Sequence, residues 1–136
     1  LSMPYINVYE IATFYTMYNL APVGKYFVQV CTTTPCLLRG ANEIVKVCQN
    51  KISKDEGTLS DNGMCSWIET ECLGACVNAP MIQVNNDYYE DLDKNNMERI
   101  IDSFIQNKPL KPGSFRGRKS AAPEKIVNKI NGANNA

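Results

Sequence analysis

The chain has 136 residues, with fourteen acidic and fourteen basic side chains, six cysteines and no histidine. This length is enough for one domain with its own core, and the balanced charge argues against nucleic acid as the main partner. The absence of histidine excludes a Cys-His nucleophile, a Cys/His zinc finger and a Rieske-type cluster. All-thiolate metal chemistry or disulfides remain.

The N-terminal region, residues 1–22, reads as one apolar helix. Tyr5 to Tyr18 carries apolar side chains at helical spacing on nearly every side, which predicts a core helix. No apolar run approaches the roughly 20 residues that cross a bilayer, and no signal peptide opens the chain. Because the chain begins at Leu1 within this pattern, we expect that upstream sequence carrying the packing partners of the helix is missing.

Residues 23–108 alternate between strand and helix patterns. Lys25 to Cys31 is rich in β-branched and aromatic residues, which predicts a central strand covered on both faces. A helix of about 14 residues follows, with Leu37, Ala41, Ile44, Val45 and Cys48 on its apolar face. Pro35 suits the first turn of this helix, where the helix dipole favours a thiolate at Cys36.

The sequence of the second half of the domain predicts a strand, a hairpin and a last helix. Ser66 to Cys72 alternates as a strand does, and Met81 to Tyr89 reads as a hairpin around an Asn-Asn-Asp turn. Asp93 can cap a final helix whose apolar stripe is Met97, Ile100, Ile101, Phe104 and Ile105. The fold class is therefore α/β, with a four-stranded mixed sheet and flanking helices.

Residues 109–136 change in composition, with prolines and glycines among lysines and arginines. This segment reads as an extended basic tail. It is either a solvated end without fixed structure or a strap on a partner subunit, and the sequence does not choose between these.

Two cysteine pairs follow the two predicted strands, Cys31 with Cys36 and Cys72 with Cys76. Ligands of α/β folds gather at the carboxyl ends of strands, so we expect the four thiols at one edge of the sheet. Gly74 and Ala75 keep the second loop slim, so that backbone N–H groups can approach sulfur. Cys48 belongs to a helix core stripe, and Cys65 reads as a free thiol without a partner at ligand spacing.

Several chemistries compete for the four thiols. Three disulfides would suit a secreted domain, but nothing else looks secreted. A thioredoxin-type redox pair needs C-x-x-C, which is absent. Zinc sites usually use shorter knuckle spacings than those found here, so zinc stays open as the second interpretation. A 2Fe-2S cluster takes two thiolates per iron, which two loops of unequal length can supply.

Four runs carry a family resemblance: Val8–Asn19, Pro22–Tyr26, Val30–Cys36 and Glu71–Pro80. They closely resemble the thioredoxin-like 2Fe-2S subunit of the flavoprotein (NADH dehydrogenase) module of respiratory complex I, over roughly Met3 to Leu110. The resemblance implies a thioredoxin-like ferredoxin domain, preceded by the last helix of an N-terminal helical bundle. It also implies that Cys31, Cys36, Cys72 and Cys76 are the ligands of one 2Fe-2S cluster.

The resemblance further implies an electron-transfer subunit with no catalytic acid, base or nucleophile of its own. Its cluster would exchange single electrons with the FMN of a partner flavoprotein subunit, which would also hold the NADH site. Other peripheral-arm subunits of complex I would be further partners. We expect no G-x-G-x-x-G nicotinamide site in this chain. The partner surface should include Thr32 to Pro35 and Leu73 to Pro80, and Arg39 could tune the cluster or be a solvated helix charge.

Two other functions stay open at this point. The same cysteine pattern occurs in the diaphorase subunits of NAD-linked hydrogenases and formate dehydrogenases, and a zinc-stapled interaction module belongs to a different class. In the favoured interpretation the protein is peripheral. It would lie on the matrix side of the mitochondrial inner membrane or on the cytoplasmic side of a bacterial one.

Overall fold

The computed structural model describes residues 2–119. In chain order the elements are α1 (Tyr5–Phe14), β1 (Tyr26–Cys31), α2 (Thr34–Leu38), α3 (Ala41–Lys51), β2 (Cys65–Thr70), a single 3-10 turn (Cys76–Asn78), β3 (Ile82–Val84), β4 (Asp87–Glu90), α4 (Lys94–Ile105) and β5 (Gly113–Ser114). We call Cys76–Asn78 the Cys76 turn. The predicted α/β class is confirmed.

Within residues 2–119 the sheet has five strands, in the order β2-β1-β3-β4-β5. β1 runs parallel to β2, with Val28 opposite Trp67, and antiparallel to β3. The four predicted strands are therefore present and adjacent in one mixed sheet. The fifth strand, β5, comes from the segment predicted to be a tail and pairs in parallel with β4.

The main core lies between one face of the sheet and the helices α3 and α4, which pack against each other. Trp67 and Tyr89 extend into it from the sheet, and Phe104 extends into it from α4. The Phe104 ring stacks on Tyr26 with centroids 4.5 Å apart. Gly24, just before β1, approaches β2 so closely that a Cβ would lie 2.5 Å from the Cys65 carbonyl carbon.

The opposite face of β1 is more open than the sequence predicts. Val28 and Val30 are buried, but Phe27 and Gln29 between them are only half-buried. They line an open groove of about 920 Å³ together with Ile68 on β2. Among residues 2–119, helices cover one face of β1 and leave the other face open. The structure therefore differs from the prediction of a strand that is covered on both faces.

The long helix predicted after Pro35 is broken in two. Gly40 adopts φ = +101° between α2 and α3, a left-handed conformation that a helix interior does not accommodate. Pro35 lies in the first turn of α2, as predicted. The break separates Leu37 from the apolar stripe of α3, and the Leu37 side chain is 43% exposed.

The hairpin and the last helix agree with the sequence. β3 and β4 are antiparallel, with Val84 opposite Asp87, and Asn85 in the turn has φ = +53°. Asp93 caps α4 by accepting a hydrogen bond from the Asn96 N–H at 2.8 Å. Four of the five predicted stripe residues of α4 are buried, and the fifth, Ile105, lies at the exposed end of the helix.

The N-terminal helix has no packing partner among residues 2–119, and the prediction that its partners lie upstream stays a prediction. Within the described part of the chain no side chain of α1 is buried, and Tyr5 and Phe14 are almost fully exposed. The helix also ends at Phe14, four residues before Tyr18. No helix among the described residues is long and apolar enough to cross a membrane. The division into residues 1–22, 23–108 and 109–136 stays a prediction, and residues 120–136 of the predicted tail lie outside the described residues.

Candidate metal centre

The two cysteine loops meet at the carboxyl edge of β1 and β2. Cys31 is the last residue of β1, and Cys36 lies in α2 directly beyond it. Cys72 comes just after β2, and Cys76 begins the Cys76 turn. Because β1 and β2 are parallel neighbours, their carboxyl ends lie side by side. The predicted adjacency of the two loops is confirmed.

The side chain of Thr33 connects the loops. Its hydroxyl lies 3.4 Å from the Cys31 sulfur and also hydrogen-bonds the Cys72 sulfur. Cys72 and Cys76 have their sulfur atoms 3.3 Å apart. The Thr32 N–H reaches across to the Thr70 carbonyl at 3.3 Å. A single hydroxyl therefore contacts one thiol from each pair.

Within the first pair, the environment shifts the pKa values of the two thiols in opposite directions. Burial raises the pKa of Cys31, but hydrogen bonds from the Thr33 side chain and from the Thr33 and Leu73 backbone outweigh burial and lower it overall. Burial, followed by the Cys31 thiolate, raises the pKa of Cys36 to about 12. The site thus stabilises negative charge on Cys31 in particular.

The second pair shows the same asymmetry at an exposed position. The Gly74 N–H, then the Cys76 thiol, lower the pKa of Cys72. The hydrogen bond to Cys72 is the main cause that raises the pKa of Cys76. The Gly74 contact confirms that the slim loop brings a backbone N–H to sulfur. Negative charge on Cys31 also acts to raise the pKa of both Cys72 and Cys76, so thiols of the two pairs lie within electrostatic reach of one another.

A small apolar cluster separate from the main core surrounds the inner pair. Its buried members are Cys31, Cys36, Ala41, Ala75, Ala79 and Met81, with Leu73 and Tyr88 packed against them. The Tyr88 hydroxyl donates to the Leu73 carbonyl at 2.7 Å. This contact holds the second loop against the hairpin. Cys31 and Cys36 are therefore shielded from water, whereas Cys72 and Cys76 face solvent.

The donor set fits a two-iron cluster. All six cysteines are free thiols, which is contrary to a disulfide framework. No three His, Cys, Asp or Glu side chains among residues 2–119 converge on one point as ligands of a single metal ion do. Two pairs of thiols, each pair in its own loop, match a rhomb that takes two thiolates per iron. A single tetrahedral zinc requires all four around one centre.

Two cysteines and one arginine that the sequence analysis considered lie elsewhere, in the main core or in solvent. Cys48 and Cys65 are completely buried in the main core. Burial raises the pKa of Cys65 to about 11 and raises that of Cys48 further. The prediction that both are bystanders agrees with these positions. Arg39 is exposed at the end of α2.

The sequence did not reveal three polar contributions to the site. One is the Thr33 hydroxyl, for which a threonine two residues after a cysteine was the available signal. Another is a buried pair in which the Asn78 amide donates to Glu90 at 2.6 Å. The third is Arg118, which donates to the Val77 carbonyl. The partners in the last two contacts are 12 and 41 residues apart, which no local pattern shows.

A parallel strand pair with thiols at its carboxyl edge, flanked by helices on one face, defines this protein as an α/β domain built to hold a metal-sulfur site. Residues 1–105 match the family described as thioredoxin-like [2Fe-2S] ferredoxin. The chain belongs to that family, whose cofactor is a 2Fe-2S cluster, and the thioredoxin-like fold expected from the resemblance is confirmed.

Similar proteins agree with this assignment. The chain is 61% identical over 105 residues to a NADH-quinone oxidoreductase subunit of Rickettsia bellii, covering 76% of this chain and 62% of that protein. It is 51% identical over 107 residues to the subunit of the same name from Rickettsia typhi, covering 79% and 63%. With a NADH-quinone oxidoreductase subunit of Rhizobium meliloti the identity is 49% over 126 residues, covering 90% and 46%. The chain thus spans about half to two thirds of the length of these curated relatives.

Solved structures share the fold at low sequence identity. A chain of an NAD+-reducing [NiFe]-hydrogenase superposes with a TM-score of 0.67 and 18% identity, covering 79% of this chain and 18% of that one. The thioredoxin-like [2Fe-2S] ferredoxin of Aquifex aeolicus superposes with a TM-score of 0.52 and 20% identity, covering 62% and 90%. At these identities the likeness concerns the fold.

Proposed function

We propose that Cys31, Cys36, Cys72 and Cys76 hold the 2Fe-2S cluster of the family, with each loop supplying two thiolates. The observation that carries this assignment is the convergence of both loops on the Thr33 hydroxyl at one sheet edge. The two remaining cysteines lie in the main core, where solvent and the loops do not reach.

The function that these features support is that of an electron-transfer subunit of NADH:ubiquinone oxidoreductase, respiratory complex I. Single electrons would pass between this subunit and the FMN of a partner flavoprotein subunit, which would also bind NADH. The 49–61% identity to subunits with that enzyme name supports the proposal. This chain would contribute no catalytic acid, base or nucleophile.

When bound, the cluster supplies a one-electron redox centre. The chain's own residues set its surroundings. Backbone N–H groups of Leu73 and Gly74 hydrogen-bond thiolate sulfur, and such bonds stabilise negative charge on a cluster. The apolar cluster around Cys36 excludes water on the inner side. The exposed sulfurs of Cys72 and Cys76 mark the side from which a redox partner would approach.

Single Cys→Ser variants of the four proposed ligands test the assignment. The full chain should be red-brown, should bleach with dithionite and should not bleach with NADH unless the flavoprotein subunit is added. Each of the four variants should lose or markedly alter the visible and EPR spectra. A colourless wild-type protein that contains zinc would support the zinc-stapled module instead. A spectrum that survives Cys72→Ser and Cys76→Ser together would show that the ligands are misassigned.

The equivalent subunit of an NAD-linked hydrogenase or formate dehydrogenase is the alternative assembly. The hydrogenase likeness is one of fold, at 18% identity, whereas the relatives at 49–61% carry the NADH-quinone oxidoreductase name. Purification of the native complex decides between them, because only one contains quinone-reducing subunits. In the favoured assembly the protein is a peripheral subunit, on the mitochondrial matrix side or the bacterial cytoplasmic side of the membrane.

A further inference from the structure

A short segment near the C-terminal end of the described chain lies against the hairpin and the Cys76 turn. We call residues 113–118 the strap. Gly113 and Ser114 pair with β4, and the Phe115 N–H donates to the Glu90 carbonyl at 3.0 Å. The Phe115 ring packs beside Tyr89, with centroids 6.5 Å apart. The strap is therefore an integral layer of the domain.

The strap is fixed by a buried carboxylate. The Asp91 side chain is fully buried, and Asp91 adopts φ = +57° directly after β4. It accepts hydrogen bonds from the Ser114 hydroxyl, from Arg118 Nε at 3.1 Å and from Arg118 Nη2. A buried charge needs such pairing, so the guanidinium is the main partner that keeps Asp91 in place.

The same two residues also hold the Cys76 turn. Arg118 Nη2 donates to the Val77 carbonyl at 3.2 Å, and the Asp91 N–H donates to the Asn78 carbonyl at 2.8 Å. The side chain of Cys76 is exposed, and its sulfur contacts Cys72 Sγ at 3.3 Å, the other thiol of the same exposed pair. Its position depends on the backbone of the turn, and therefore on these contacts from outside the turn.

We propose that Arg118 is a positioning residue for Cys76. Its guanidinium binds the Asp91 carboxylate and the Val77 carbonyl at once, and thereby fixes the turn that presents the Cys76 thiolate. A planar fork of several N–H donors can make both contacts, whereas a lysine ammonium is a single point on a flexible stem. The inference rests on the proposed role of Cys76 as a cluster ligand.

Three variants of the full chain test this role: Arg118→Ala, Arg118→Lys and the control Arg116→Ala. Arg116 belongs to the same strap and carries the same charge, but its hydrogen bond to Ser114 comes from its backbone N–H. Both Arg118 variants should release iron to a chelator about tenfold faster than wild type, the lower end of the effect of outer-shell partners on metal sites. Their EPR lines should broaden because the Cys76 turn becomes heterogeneous. Arg116→Ala should match wild type in both measurements.

Hydrogen exchange in the cluster-free chain provides a readout that does not depend on the ligand assignment. In Arg118→Ala the Asp91 amide, which donates to the Cys76 turn, should exchange faster, while the amides of α4 stay unchanged. Ethylguanidinium at millimolar concentration should restore slow exchange and slow iron release, and ethylammonium should not. Such rescue would not follow from general destabilisation.

The outcomes separate this inference from the ligand proposal. Suppose that Arg118→Ala releases iron and exchanges the Asp91 amide at the wild-type rates, while Cys76→Ser loses the cluster. This result would overturn the role of Arg118 and would leave the ligand assignment unaffected. An Arg118→Lys variant identical to wild type would overturn the role of the two-way contact. Unaltered spectra in Cys76→Ser would overturn the ligand assignment, and the Asp91 exchange rate would then show that the strap only stabilises the turn.

Discussion

Position in the fold, and not residue type, separates the cysteines of this chain into two groups. Cys48 and Cys65 are buried in the main core with raised pKa values, which suits small apolar side chains. The thiols of the two loops instead contact hydroxyl and backbone N–H donors. Cysteine therefore packs as a small apolar side chain in the core, whereas in the two loops its thiol contacts groups that stabilise negative charge.

Substitution of the two core cysteines should leave the cluster intact. We expect Cys48→Ala and Cys65→Ala to keep the visible spectrum and to lower the free energy of unfolding by about 1 to 2 kcal/mol each, because a buried sulfur is replaced by a smaller group. Alanine is preferable to serine at Cys65, since the site is apolar and fully buried. Urea unfolding and absorption spectra measure both effects. A lost spectrum in either variant would count against the ligand assignment.

Asp91 should make folding stability depend on acid pH. Burial raises its pKa, but the hydrogen bonds of Arg118 and Ser114 outweigh burial, so that the folded pKa lies below the ordinary value. The unfolded chain then binds more protons than the folded one as pH falls. The stabilisation by Asp91 is complete above the unfolded pKa of about 3.9 and is lost as pH falls through the folded pKa.

Asp91→Asn removes this titration. In the cluster-free chain its urea midpoint should lie below that of wild type at pH 6, and the difference should shrink as pH is lowered toward 3. Asp87→Asn is a suitable control, because Asp87 is exposed at the start of β4. A difference between wild type and Asp91→Asn that grows toward low pH would contradict the sign of the shift.

At the scale of elements, one glycine decides where a helix begins. Gly40 precedes α3 with φ = +101° and ψ = +26°, and an added Cβ would meet no atom within 4 Å. The backbone conformation, and not a steric clash, is what requires glycine there. This break allows α2 to turn Cys36 toward the loops while α3 packs on α4.

We expect Gly40→Ala to lower the free energy of unfolding by about 1 to 3 kcal/mol, the usual cost of a non-glycine residue in a sparsely populated backbone region. Asn42→Ala, at an exposed position on α3, is the control and should stay within about 0.5 kcal/mol of wild type. Urea unfolding measures both. Equal stability of Gly40→Ala and Asn42→Ala would mean that α2 and α3 can merge into the single helix predicted from the sequence.

Helix α1 has no buried side chain among residues 2–119. The spacing of apolar residues predicts this helix, because spacing is a local property. Burial needs a second surface, and the described residues provide none for Tyr5 or Phe14. The proposal that its neighbours belong to further sequence stays a prediction.

For the molecule as a whole, the loops at the metal centre remain the predicted partner surface, but their residues differ in suitability. Val77 is 61% exposed, whereas Ala75 is only 6% exposed and packs in the apolar cluster. Thr33 hydrogen-bonds two sulfurs. A charge at Ala75 or Thr33 would therefore disturb the site itself, and the exposed Thr34 and Val77 are the better positions to probe.

Thr34→Asp and Val77→Glu should weaken binding to the flavoprotein subunit, since each would place an unpaired charge at a desolvated contact. Asp is tolerated at the start of α2, where it complements the helix dipole, so folding should not suffer. Titration calorimetry against the flavoprotein subunit measures the affinity, and the cluster spectrum confirms that the site is intact. The control is Lys54→Glu in the loop between α3 and β2, outside the two cysteine loops. It changes more charge and should bind as wild type. Unchanged affinity in both loop variants would exclude this surface.

The sequence by itself determined those features that depend on neighbouring residues. The end of β1 at Cys31, the Pro35 helix start, the Asn85 turn and the Asp93 cap follow from backbone preferences and short-range hydrogen bonds. The absence of histidine and the spacing of the four cysteines restricted the chemistry to thiolates. The place of Cys48 in the buried stripe of α3 followed from its helical period.

The tertiary structure decided what depends on residues far apart in the chain. Only the folded chain shows Arg118 on the carbonyl of Val77 and the buried pair of Asn78 with Glu90. It likewise shows that β5 joins the sheet and that Ala75 is inside. Burial and pairing are set by which surfaces meet after the sheet forms. The prolines and basic residues after residue 108 predict an extended tail. The folded structure instead pairs Arg118 of this segment with the buried carboxylate of Asp91.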